Sequence, residues 1–183
     1  MTTFETRERG WRESQSRLPG GLDAALDSKA LAGLVLEAVR LVDDGELNPP
    51  VSTAATPAFR PRAMLAMLTY CYAIGVYGSH DVEGMMYEDA EFRALCGMEY
   101  PDWRRLKRFR RNNHAVLRRT IEETFRGVWR LHDGARRSAC GNGVGANGHS
   151  SNGLPEPARP ESFSAEAQAC IERAMFIDQM AVE

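Results

Sequence analysis

The sequence predicts an all-α protein: a compact helical bundle with a helix-turn-helix-like pair, then a flexible Gly/Asn/Ser/Pro linker and a C-terminal helix. Three observations carry that expectation. Apolar residues recur at three- and four-residue intervals, the period of a helix face. Capping residues, glycines and prolines punctuate those stretches where helices start and stop. After Asp133 no run of β-branched residues could supply strands. At 183 residues with 43% hydrophobic content, the chain can hold one modest domain plus extras. Four segments follow: an arm over 1–21, a helical domain over 22–132, a linker over 133–161 and a helix over 162–183.

Residues 1–21 are polar, charged and Gly-terminated, a flexible arm with Trp11 available as an anchor. Ser28 is placed to cap a helix carrying Leu31, Leu34, Val35, Ala38, Leu41 and Val42, with Gly45 near its C-terminal cap. Asn48 to Pro61 is rich in Pro, Ser, Thr and Ala and reads as a surface loop. Pro61 suits the first turn of the next helix. Met64, Leu65, Met67, Leu68, Cys71, Tyr72 and Ile74 make that helix apolar nearly all round, so it belongs in the centre of a bundle. Gly75 and Gly78 end it. Ser79 then offers a cap, with Asp81 and Glu83 in the first turn of a short helix through Tyr87. A second short helix, Asp89 to Cys96, turns Phe92 and Leu95 inward and stops at Gly97.

Pro101 and Asp102 introduce the stretch that sets this chain apart. Asp102 is a good N-cap, and behind it come Arg104, Arg105, Lys107, Arg108, Arg110 and Arg111. The whole-chain charge of −2 hides this concentration. At about 100° per residue, Trp103, Leu106 and Phe109 share one side. Arg104, Arg108 and Arg111 share the other, flanked by Arg105, Lys107 and Asn112. Arg110 falls nearer the apolar side and is expected in an internal salt bridge, with Glu83 or Asp89 as its partner. A merely solvated face mixes both charges, yet no carboxylate stands between Trp103 and Thr120. Short helix, tight turn, basic helix is the helix-turn-helix plan, whose second helix enters the major groove. Cationic side chains on one helix face suit phosphate contacts, and Arg suits bidentate contacts to phosphate or guanine. Asn113 is placed to cap the last core helix, on which Leu117, Ile121, Phe125 and Val128 recur. From Gly134 to Glu161 the composition turns to Gly, Asn, Ser, Ala and Pro, a linker. Ser162 or Ser164 caps a last helix with Ala167, Cys170, Ile171, Ala174, Met175 and Ile177. It is too short to stand alone and must dock on the body or on a partner.

Other chemistries find little support. Cys71, Cys96, Cys140 and Cys170 lack metal or redox spacing; 71, 96 and 170 read as buried thiols. His80, His114, His132 and His149 are scattered, so no metal site is expected. Gly141-Asn-Gly143-Val-Gly145 lacks the strand and helix of a phosphate loop. Asp81, Glu83, Glu88, Asp89 and Glu91 form an acidic patch that reads as a solvated face. The N-terminus shows no signal core, and Met64–Val76 is too short to span a bilayer. A cytoplasmic protein with no cofactor and no membrane partner is expected.

Phe59-Arg-Pro-Arg-Ala-Met-Leu, Tyr70-Cys-Tyr-Ala-Ile-Gly-Val-Tyr-Gly-Ser, Val82-Glu83, Glu88-Asp89-Ala-Glu-Phe-Arg, Pro101-Asp102 and Arg108-Phe109-Arg110 follow in an order that resembles one known domain. It is the N-terminal (InsH-type) DNA-binding domain of bacterial insertion-sequence transposases. Leu18-Pro19 and Leu41-Val42-Asp43 extend the likeness, which covers roughly 18–130. The resemblance implies a helical domain that holds DNA, commonly the element's inverted repeats. In the family an RNase H-like domain follows, with an Asp-Asp-Glu triad that binds two divalent metals. This chain departs from it at Gly78-Ser79-His80, where Ser-Ser-Arg is common, and at Arg105, where Thr is common. Asp133, Glu161 and Asp178 fall in linker or helix, and no strands follow to carry a triad. The expected function is sequence-directed binding of double-stranded DNA by a stand-alone, non-catalytic domain. The DNA-reading residues would be Arg104, Arg105, Lys107, Arg108, Arg111 and Asn112. The alternatives are the DNA-reading half of a split transposase, with a separate catalytic subunit docked by the C-terminal helix, or a protein-interaction module with no nucleic-acid role, whose Arg face binds an acidic partner and whose last helix drives self-association.

Overall fold

Asp27 opens the fold. Its carboxylate accepts from the Ala30 amide at 2.6 Å, satisfying one of the amides that a helix start leaves unpaired. In the computed structural model, which describes residues 26–48, 59–97, 99–140 and 162–181, this cap begins α1 (Ser28–Arg40). Asp27 therefore takes the role expected of Ser28. Leu31, Val35, Ala38 and Val39 form the buried stripe of α1. The helix ends at Arg40, well before Gly45. Arg62 explains the early stop: its guanidinium donates to the Val39 and Val42 carbonyls at 2.9 and 2.7 Å, the groups a helix end leaves free. Asp43 and Glu46 then form a capping box around a 3-10 turn, Asp44–Glu46.

Pro61 sits at the start of α2 (Pro61–Ala73), and every residue from Met64 to Ala73 is buried. The helix runs through the middle of the bundle, as its all-round apolar sequence requires. Gly75 closes it at φ 85°. The Val76 amide reaches Cys71 O at 2.8 Å and the Gly75 amide reaches Tyr72 O at 3.2 Å, the paired bonds of a left-handed helix terminus. Then come α3 (Ser79–Glu88), α4 (Ala90–Leu95), α5 (Trp103–Asn112), α6 (His114–Cys140) and α7 (Phe163–Met180). Asp89 starts α4 by accepting from the Phe92 amide at 3.0 Å.

The central α2 touches α1, α3, α4, α5 and α6; α6 also lies against α1, and α7 lies along α6. Leu117, Ile121, Phe125 and Val128 of α6 meet Phe163, Ala167, Ile171 and Ala174 of α7 in one continuous core. The described residues contain helices and no strand, as expected. None of their helices is long and apolar enough to cross a membrane.

Several expectations change. The last core helix does not stop at Asp133 but runs through Gly134 to Cys140. One internal glycine costs a helix only about 1 kcal/mol, and an Arg137–Asp133 pair bridges that turn. Asn113 stands at the N-cap position of this helix, its carbonyl accepting from the Leu117 amide at 2.9 Å, but its side chain is turned elsewhere, accepting from the Asn48 amide at 2.8 Å and donating to Asn48 O at 3.1 Å. The basic helix lies chiefly against α3 rather than α4. The C-terminal helix docks on the body. The N-terminal arm, most of the Asn48–Pro61 loop and the linker beyond Cys140 fall outside the described residues.

Candidate nucleic-acid interface

Asp102 caps α5 as its sequence indicates, accepting from the Arg105 amide at 2.9 Å. Leu106 and Phe109 are buried and Trp103 is half-buried. With that side fixed inward, helical geometry turns Arg104, Arg108 and Arg111 outward together, and all three are exposed. Their spacing of four and three residues places them within a sector of about 60° along about 10 Å of helix axis.

The six expected DNA-reading residues do not share one fate. The Arg104 guanidinium stands 4.6 Å from the centre of the Trp103 ring, and that ring packs on His80 at 4.5 Å. A ring contact orients the cation but consumes none of its N–H donors. Arg108 and Arg111 reach no carboxylate within ion-pair distance among the described residues. Arg105 lies 3.6 Å from the Asp102 carboxylate and over the Phe59 ring at 4.8 Å. Lys107 points toward α7, its Nζ donating to Asp178 O at 3.2 Å. The Asn112 carbonyl accepts from Asn48 Nδ2 at 2.9 Å, while the residue itself is exposed. The outer row is therefore Arg104, Arg108 and Arg111, with Arg105 and Lys107 turned to structural contacts.

The surface of α6 provides the contrast. There Arg126 pairs with Glu122 at 2.5 Å, Arg130 with Glu123, Arg137 with Asp133, and Arg119 with Glu46 of the 3-10 turn at 2.6 Å. That is a solvated face whose charges compensate one another. The α5 row has no such partners among the described residues, so its field is directed outward.

Arg110 is 1% exposed and anchors the inner side of α5. Its partner is neither Glu83 nor Asp89 but Asp178, from the last turn of α7. Asp89 is already engaged at the start of α4. The guanidinium also donates to Tyr72 Oη at 2.6 Å and Ser79 Oγ at 3.2 Å. Asp178 accepts in turn from the Ser79 amide at 2.8 Å and the Ser79 hydroxyl at 2.7 Å. Burial raises the Tyr72 phenol above its ordinary pKa, with the Arg110 charge opposing that shift. The hydroxyl thus stays protonated. A buried ion pair persists only where such bonds complete its solvation. The sequence does hold one sign of Asp178: it continues the apolar positions Ala167, Ile171 and Ala174 at helical spacing. A lone carboxylate in that row demands a buried cation.

Among the described residues no group of three His, Cys, Asp or Glu could hold a metal ion. Cys71, Cys96 and Cys170 are free and buried, as expected.

Comparison with known families gives a match over part of the chain. Residues 26–112 fit the family described as Transposase domain (DUF772). The match runs from just before α1 to the last residue of α5 and covers the segments from Leu41-Val42-Asp43 to Arg108-Phe109-Arg110; Leu18-Pro19 and the residues beyond Asn112 lie outside it. No curated protein and no solved structure matches the chain.

Proposed function

We propose, from the transposase domain that residues 26–112 carry, that this chain binds double-stranded DNA through the outer face of α5 and acts without catalysis of its own. The observation that supports this reading is the row of Arg104, Arg108 and Arg111. It is exposed, aligned on one helix face and free of described carboxylates. Arg forks match phosphate oxygens and the guanine edge. Asn112 extends the row with an amide able to read adenine. Arg105 and Lys107 support the helix from its flanks. The apolar stripe of α7 is spent on α6, so that stripe is not what would recruit a separate catalytic subunit.

Fluorescence anisotropy with a labelled mixed-sequence duplex tests the reading. Three phosphate contacts give a slope of log K against log salt of about −2.7, or about 40-fold weaker binding between about 50 and 200 mM salt. Arg108→Glu replaces an attractive charge with a repulsive one at the centre of the row. It should lower affinity at least about 100-fold with the far-UV circular dichroism unchanged. Binding that ignores both salt and Arg108→Glu would refute the reading. Cleavage of the duplex by the purified chain in magnesium would refute its non-catalytic part.

A further inference from the structure

The family match stops at Asn112, yet the inner side of α5 is completed by a helix on the far side of the linker. We infer that Asp178 is a positioning residue for the nucleic-acid face, and that α7 is a working part of the interface unit. The inference rests on the DNA-binding reading above.

One carboxylate joins two helices. Gly78, at the N-cap of α3, has no capping side chain. Asp178 Oδ1 takes that role from across the fold by accepting the Ser79 amide. Its Oδ2 accepts from the Ser79 hydroxyl and from Arg110 of α5. The start of α3 is thus tied to the last turn of α5, the helix it lies against. One turn earlier on α5, Lys107 holds the backbone oxygen of the same Asp178. Two ties on one helix fix its rotation as well as its position. Little slack remains: a Cβ on Gly78 would stand 3.2 Å from Ile177 Cγ2 and 2.5 Å from Asp81 Oδ2. A helix turns as a unit, so whatever sets Arg110 inward sets Arg104, Arg108 and Arg111 outward. Asp178 therefore aims a surface it does not touch.

The test uses the full chain. Asp178→Asn keeps the shape and one acceptor but removes the charge opposite Arg110. Ile171→Ala, two turns earlier in the same helix, opens a cavity without touching either tie. Hydrogen exchange should rise at least about tenfold at the first turn of α3 and along α5 in Asp178→Asn, with α1 unchanged. Affinity for the duplex should fall by at least about tenfold in the same variant. Ile171→Ala should retain wild-type affinity despite lower stability. If Asp178→Asn does not fold, the double change Arg110→Met with Asp178→Leu removes both buried charges, a replacement that cores commonly tolerate. It should fold, yet still lose protection at Ser79 and still bind duplex weakly. Wild-type affinity in the folded Asp178 variants, or equal losses in Asp178→Asn and Ile171→Ala, would overturn the inference. Failure of Arg108→Glu to weaken binding would instead overturn the DNA-binding reading, a result the exchange pattern does not mimic.

Discussion

Cys71, Cys96 and Cys170 illustrate what a single residue's surroundings decide. Burial raises all three thiols, Cys96 to about 12. A raised thiol stays protonated where a free cysteine, near pKa 8.5, is already half thiolate, and only the thiolate is nucleophilic. Iodoacetamide at about pH 8.5 should leave these three positions unlabelled in the folded chain and label all three in urea, as read by peptide mass mapping. The linkage has a definite sign. A folded pKa above the unfolded one stabilises the protein fully below the unfolded value, and that contribution is lost as pH rises toward the folded value. The melting temperature should therefore fall as pH climbs above about 8.5. The apolar company of these thiols is legible in the sequence; the identity of Arg110's counter-ion is not. Arg110 visibly faces inward, and Glu83 and Asp89 are the carboxylates that the acidic patch of the preceding short helices offers it. Asp178 lies beyond the linker; its spacing marks it as an inward carboxylate but does not say which buried cation the fold brings to it.

Whole elements are more legible than their ends. The helix Pro61–Ala73 declares itself through its proline start and its apolar girth, because burial on all sides leaves no room for polar residues. Boundaries depend on groups brought from elsewhere. Arg62 meets the end of α1, taking the Val39 carbonyl of its last turn and the Val42 carbonyl just beyond it. Asp178 supplies the cap that α3 lacks, and composition at Asp133 does not halt α6 because propensity alone is a weak force. Two glycines separate these effects experimentally. Gly75 holds φ 85° at the end of α2, where a Cβ is strained. Gly75→Ala should cost about 1–2 kcal/mol. Gly33 lies inside α1 with nothing within 4 Å of an added Cβ, so Gly33→Ala should gain up to about 1 kcal/mol. Urea denaturation midpoints would shift in opposite directions. A stabilised Gly75→Ala would mean that the left-handed terminus does not form.

At the scale of the molecule, charge and core are distributed by different rules. The sequence shows that cations concentrate in Trp103–Asn112, and the described surface keeps their outer row apart from the compensated pairs of α6. It does not show which cations the fold itself consumes, since Arg105 and Lys107 are spent on contacts with Asp102, Phe59 and α7. The same folding-back bears on how the chain comes apart. Read along the sequence, α7 looks like a separate piece beyond a linker. Its Phe163, Ala167, Ile171 and Ala174 nevertheless lie fully buried in the core that holds α2 and α6. Withdrawing α7 would expose that apolar surface and leave Arg110 buried without its carboxylate, a state costing about 3–5 kcal/mol for the unpaired charge alone. Detachment of α7 before global unfolding should therefore be rare. Urea curves followed by far-UV circular dichroism, which sees every helix, and by tryptophan fluorescence, which sees Trp11, Trp103 and Trp129 but nothing in α7, should superimpose as one cooperative transition. A helical signal that falls first, while fluorescence holds its native value, would make α7 an independent unit and deprive α5 of the tie on which its orientation is argued to depend.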